Sequence, residues 1–168
     1  MAYLLRHFRS SDHSSIQMIA DEALGKGYFN ISPEDAVIVA QDNSRIAGFI
    51  CGSIREDGIA LLRTICVARA NRGRDLGYAL GQAFIKQIAR DRPVCSPAWI
   101  RREGGIPAAH LLQRLGLEPT DIITNYWQAD SLRRGYNCPD CGAPPCRCSA
   151  KLFRSKGSSS INSTLCKS

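Results

Sequence analysis

Residues 59–85 read IALLRTICVARANRGRDLGYALGQAFI. An apolar run, Ile59–Val67, leads into Arg72-Gly73-Arg74-Asp75-Leu76-Gly77, and apolar residues then recur at helical spacing. The pattern predicts a strand, a short basic turn holding glycines, and a helix over roughly 76–90. The N–H groups in a helix's first turn have no internal partners, and the helix dipole adds partial positive charge there. Arg72 and Arg74 add to that field, so a pyrophosphate fits the turn. An ordinary strand-to-helix turn with solvated arginines carries the same residues, so the motif alone does not choose.

Upstream, Tyr3–Phe8 predicts a short edge strand, and Ile16, Ile19, Ala20, Ala23 and Leu24 predict a helix over roughly 11–24. Ala36–Gln41 and Arg45–Arg55 flank Asp42-Asn43-Ser44 and read as a hairpin, with Ile59–Ala68 as its third strand. Downstream, Pro93–Ile100 reads as a strand, and Ile106–Leu115 as a helix closed by Gly116. Leu117–Gln128 holds one or two final strands, the clearer being Ile122–Gln128. The order β-α-βββ-α-β-α-β predicts a mixed α/β fold: one mostly antiparallel central sheet flanked by helices.

This order, with the turn at 72–77, resembles the GNAT superfamily of N-acetyltransferases, whose acyl-CoA-binding signature is R/Q-x-x-G-x-G/A; the match spans residues 3 to about 128. The resemblance implies the acyl-CoA N-acyltransferase fold and acetyl-CoA as co-substrate. It places the pyrophosphate on Arg72, Gly73, Arg74, Asp75, Leu76, Gly77 and Tyr78. It places pantetheine and the thioester along Ile65, Cys66 and Val67, in a wedge where the next strand diverges. Asp75 stands where the family has glycine, and either sits near the phosphates as a repelling charge or caps the helix that follows. The family's later motif N-x-x-A-x-x-L-Y-x-x-x-G-F aligns with Gly105, Ala108, Leu111, Leu112, Gly116 and Leu117, so its Asn and its acid Tyr are missing. The implied reaction is direct attack of an amine on the thioester. Glu22, Glu56 and Asp57 are the candidate carboxylates for deprotonating it, and Tyr126 approaches from the final strand. Tyr126 packed on the sheet and His110 on a helix surface are the plainer readings of those two residues.

Net charge is +7 over 168 residues, unevenly placed. Residues 1–130 hold 15 Lys/Arg against 14 Asp/Glu, whereas residues 131–168 hold seven against Asp140 alone. A basic tail weakly favours a nucleic-acid partner; no aromatic interleaving for base stacking accompanies it. No apolar run of about 18 residues exists and the N-terminus lacks a signal-type core, so the expectation is a cytoplasmic protein with no membrane span.

Cys51, Cys66 and Cys95 lie in apolar strand contexts and read as small buried residues. Cys138, Cys141, Cys146 and Cys148 form C-x2-C-x4-C-x-C, close enough to reach one tetrahedral centre. The C-P-x-C-G start resembles a zinc knuckle and implies structural Zn2+; disulfides, an iron–sulfur cluster and redox thiols use the same residues. The expected organisation is an acyltransferase domain over 1–130, a cysteine-rich appendage over 131–153, and a disordered tail over 154–168. Two functions follow. One is an acetyl-CoA-dependent N-acetyltransferase acting on an amine of a small molecule, peptide or protein. The other is a non-catalytic scaffold of the same fold whose knuckle docks a protein or nucleic acid.

Overall fold

A computed structural model describes residues 3–156. Its strands are β1 (Leu4–His7), β2 (Asp35–Asp42), β3 (Arg45–Ile54), β4 (Ala60–Val67), β5 (Val94–Trp99), β6 (Leu117–Ile123) and β7 (Ala150–Ser155). The helices are α1 (His13–Leu24), α2 (Leu76–Phe84), α3 (Ala109–Arg114) and α4 (Gln128–Arg134), with α2 running on into a wider π turn at Ile85–Ala89. The seven strands form one sheet in the order β1-β2-β3-β4-β5-β7-β6. Every neighbouring pair is antiparallel except β4 and β5. This is the acyltransferase fold expected from the sequence.

The apolar runs of β2, β3 and β4 are nearly continuous because both faces of the sheet are covered. On one face α2 and α3 bring Leu76, Leu80, Phe84 and Leu112 onto Ile38, Ile50 and Leu62. On the other, α1 brings Ile16, Ile19 and Ala20 onto Val37, Val39 and Phe49. Cys51 and Cys66 are buried in this second layer, and Cys95 is buried in β5. Asp12 ties β1 to the start of α1. It takes two bonds from the Arg6 guanidinium, at 2.7 and 2.9 Å, and one from the Arg9 backbone at 2.8 Å.

The C-terminal third departs from expectation. The strand anticipated over Ile122–Gln128 lies at Leu117–Ile123; the chain then turns through Asn125, at φ 52°, and forms α4. The last strand among the described residues, β7, inserts between β5 and β6, pairing Ser96 with Phe153 on one side and Glu118 with Arg154 on the other. The cysteine-rich stretch is therefore an excursion between two strands of the sheet, and not an extension beyond its last strand. Neither the boundary at 130 nor the one at 153 coincides with the edge of the sheet, and residues 154–156 belong to β7 and its end. Of the expected disordered tail, residues 157–168 lie outside the described residues.

Candidate functional site

The site begins with an irregularity in β4. Cys51 pairs with Thr64 while the next β3 residue, Gly52, pairs with Leu62, so Arg63 is an extra residue that bulges the strand. Beyond the bulge β4 leaves its parallel neighbour: β4 and β5 pair only at Ala60↔Val94 and Leu61↔Cys95. On the far side, the Ala68 N–H bonds Ala47 of the hairpin at 2.8 Å. Backbone groups alternate sides along a strand, so Ile65 and Val67 turn their N–H and C=O groups toward the gap. The Val67 carbonyl already accepts Arg72 Nε there, at 3.0 Å.

Three cavities meet at this gap. The wedge between β4 and β5 is about 250 Å³, with Leu62, Ile65, Ser96, Trp99, Leu111 and Leu112 among its walls. A groove of about 600 Å³ continues over the N-terminus of α2. Nine of the ten expected cofactor residues line it: Ile65, Cys66, Val67, Arg72, Gly73, Asp75, Leu76, Gly77 and Tyr78. Arg74 is exposed and is not part of that lining. The third cavity, about 750 Å³, opens on the opposite side of the wedge.

The turn has the geometry an anion needs. Gly73 lies at φ +73° with open space beside it. Asp75 precedes α2 in the left-handed region, at φ 56° and ψ 11°, and its carbonyl accepts the first helical bond from the Ala79 N–H at 3.0 Å. The N–H groups of Leu76, Gly77 and Tyr78 therefore come before the first intrahelical donor. Of the two readings of Asp75, side-chain capping fails, because its carboxylate makes no cap bond. It is drawn instead to Arg114 of α3 at 2.7 Å, and that guanidinium lies 4.4 Å from the centre of the Tyr78 ring. A Cβ on Gly77 would stand 3.3 Å from Leu111 Cδ2, so close helix packing, besides the groove, keeps that position small.

Cys66 is the thiol beside the groove. Burial pushes it up to about 12, and burial does the same to Cys51, so neither is a ready thiolate near neutral pH. Leu112, at the position of the family's acid Tyr, is an aliphatic wall of the wedge and almost fully buried.

The expected catalytic side chains do not all gather. Glu56 and Asp57 line the third cavity, and Tyr126 lines it too, from the turn before α4 and not from a strand. Glu22, a candidate by its position in the chain, is exposed on α1 and lines none of the three cavities. His110 is exposed and borders the groove.

Residues that sequence reasoning passed over are more central. Tyr28 and Trp127 line both the wedge and the third cavity, and Trp127 Nε1 donates to the Tyr28 hydroxyl at 3.1 Å. Burial raises the Tyr28 phenol well above its usual value, so it stays protonated. Arg63, the bulged residue, lines the same two cavities, 3.3 Å from buried Asp35, and donates to the Asn30 carbonyl at 3.0 Å. A lone arginine inside an apolar strand was a legible signal; Tyr28 and Trp127 carried none.

The four cysteines do come together. Their sulfur atoms all lie within 4.8 Å of one another, with Cys141 and Cys138 at 3.4 and 3.5 Å from Cys148. A tetrahedral zinc with bonds of about 2.3 Å places its sulfurs about 3.8 Å apart, so this donor set fits that ion. Cys138 and Gly142 exchange backbone bonds at 2.9 and 2.8 Å, with Gly142 at φ +76° making the tight turn. The Arg147 N–H donates to Cys141 Sγ at 3.4 Å, and buried Trp99 Nε1, otherwise unpartnered, is directed at Cys148.

Residues 2–117 match the sequence profile of the Acetyltransferase (GNAT) family. No curated protein sequence matches the chain. Among solved structures, Ard1 from Thermoplasma volcanium superposes with a TM-score of 0.67 at 20% identity, covering 92% of this chain and 97% of that one. The ribosomal-protein-S18-alanine N-acetyltransferase from Escherichia coli gives 0.65 at 18% identity, covering 96% and 99%. Arabidopsis thaliana NAA60, solved with acetyl-CoA, gives 0.66 at 15% identity, covering 91% and 97%. No helix among the described residues is long and apolar enough to cross a membrane.

Proposed function

The chain belongs to the GNAT acetyltransferase family, and from that premise we propose that it transfers acetyl from acetyl-CoA directly to an amine. The observation that carries this reading is the parting of β4 from β5 beyond Leu61, which joins the groove over α2 to the cavity on the opposite side. The pyrophosphate lies on the N–H groups of Leu76, Gly77 and Tyr78, with Arg72 beside it. Pantetheine extends the edge of β4 along Ile65, Cys66 and Val67. Backbone N–H groups on that edge polarise the thioester carbonyl, which takes negative charge as the amine nitrogen bonds to it. The suppressed thiolates of Cys66 and Cys51 support direct transfer over an acetyl-cysteine intermediate.

The third cavity receives the acceptor. Four of its arginines sit in ion pairs: Arg55 with Asp57, Arg63 with Asp35, and Arg133 and Arg134 with Asp130. Glu34 and Glu56 have no such partner among the described residues, so two unpaired carboxylates on a wall that is otherwise ion-paired can meet an incoming ammonium. Glu56 takes the proton the amine must lose. Tyr28, with its oxygen held by Trp127 and its own proton available, replaces the missing tyrosine as donor to the departing thiolate.

Calorimetry with acetyl-CoA, followed by mass spectrometry of acetylated products over a panel of peptides and small amines, tests the proposal. Binding plus transfer is the expected result, with Tyr28→Phe lowering turnover about 100-fold or more at unchanged acetyl-CoA affinity. Absence of acetyl-CoA binding overturns it. Binding with no transfer to any amine supports the second reading, a non-catalytic scaffold, which Leu112 in the acid position favours.

The four cysteines hold structural Zn2+ in the same proposal. All four positions are protein thiolates, so the ion has no open site and takes no part in the transfer. It supplies folding energy to residues 138–148, where the described backbone bonding is confined to a few turns.

A further inference from the structure

We propose that the metal-loaded cysteine centre is a strut that sets the acceptor-side wall of the active site by fixing Tyr28 and Trp127. The inference rests on the zinc reading above. Four links connect the centre to that wall.

The first runs through α4. The Cys146 N–H donates to Ser131 Oγ at 2.8 Å, and Ser131 is fully buried and bonded back to Gln128 at 2.9 Å. The second leaves the far end of α4. Arg134 reaches the loop after α1, donating to the Gly27 carbonyl at 3.0 Å and the Tyr28 carbonyl at 2.6 Å, while Asp130 holds the same guanidinium at 3.1 Å. The third is direct packing. Gly25, at φ +97°, lies so close to the knuckle that a Cβ there would stand 2.6 Å from the Asn137 carbonyl and 3.1 Å from Pro139. The fourth is aromatic. Trp127 packs on the cysteines and donates to Tyr28, whose ring meets Tyr136 edge-on at 5.2 Å.

Tyr28 and Trp127 thus form one wall of the acceptor cavity and, on their other side, lean on the cysteine layer. The α2 end of the pyrophosphate groove is built differently, from β4, α2 and Arg114 of α3. Loss of the metal therefore loosens residues 25–31 and leaves 76–84 in place. Recognition of the acceptor becomes metal-dependent, while the phosphate-binding turn does not.

Hydrogen exchange read by mass spectrometry on the full chain tests this, comparing metal-loaded and chelated protein, with Co2+ titration and its absorption bands reporting occupancy. The expected result is one metal per chain, exchange over 25–31 accelerated about ten-fold on chelation, and exchange over 76–84 changed by less than about two-fold. The variant Arg134→Ala should accelerate 25–31 while the metal stays bound. If metal binds but its removal leaves 25–31 unaltered, the strut is wrong and the zinc reading stands. If no Co2+ or Zn2+ binds, both fall. Should chelation loosen the whole domain, the variant decides: unchanged exchange in Arg134→Ala overturns the strut.

Discussion

Asp75 and Arg114 offer a charge experiment at the turn proposed to hold the phosphates. The pair is held at 2.7 Å at the surface, so it adds little to stability, but it sets the net charge beside the N-terminus of α2. The pair as it stands contributes zero; Asp75→Asn leaves +1 and Arg114→Ala leaves −1. Asparagine tolerates the left-handed backbone that Asp75 adopts, so the first change removes charge without rebuilding the turn. One unit charge about 8 Å from a pyrophosphate bearing two, in water, shifts a dissociation constant about two-fold at 0.15 M salt and about four-fold at 10 mM. The two variants should therefore move acetyl-CoA affinity in opposite directions, tighter for Asp75→Asn and weaker for Arg114→Ala. They should differ by about 16-fold at 10 mM salt and about four-fold at 0.15 M. The double variant should return to the starting value. Calorimetry over a salt series measures this. Shifts of the same sign, or shifts indifferent to salt, would refute the placement of the phosphates at this turn.

Three further outcomes follow from the same structure. Gly77→Val puts branches into the groove from a Cβ already 3.3 Å from Leu111, so acetyl-CoA affinity should fall about ten-fold or more in calorimetry; unaltered affinity would count against the groove. The Arg6 guanidinium holds the Asp12 carboxyl below its ordinary value, so the ionised form stabilises the fold. That contribution is complete above the unfolded value of about 4 and fades as pH falls through the folded one. Asp12→Asn should therefore cost about 1.5–3 kcal/mol at pH 7, and denaturant titrations should find the gap to the parent chain closing at acid pH. Chelation should lower the thermal midpoint by roughly 5 °C, with emission from Trp99 and Trp127, the chain's two tryptophans, moving to longer wavelength as the cysteine layer opens; emission unmoved in metal-stripped protein would place both indoles outside the centre's influence.

The strands and the glycine-bearing turn at 72–77 were legible because each is governed by local pattern. AVIVAQ and RIAGFICGSIR carry their burial in their composition, and the turn at 72–77 carries its glycines and arginines in sequence. What escaped depends on pairing across distance. β7 reads AKLFRS, with a buried Arg154 answering Asp121 at 3.3 Å; nothing local marks it as an inner strand. Once β7 was missed, the cysteines looked like an appendage. Tyr28 sits in a loop and gains meaning only from Trp127, 99 residues on. The family alignment marked the turn and showed Leu112 where the family has its tyrosine; it had no means of showing that another phenol, Tyr28, lines the same cavity from a distant loop.

The position of β7 also governs how the protein can be made. Because β7, the last strand among the described residues, lies inside the sheet, β5 and β6 remain unjoined on a ribosome until residues 150–155 have cleared the exit tunnel. The helices over β2–β4 can assemble earlier, as N-terminal segments do during synthesis. The nascent chain therefore carries the four clustered thiols into solution ahead of the strand that closes the sheet behind them. A chain cut short at 149 would keep all four clustered cysteines and still lack the strand that joins β6 to the rest of its sheet.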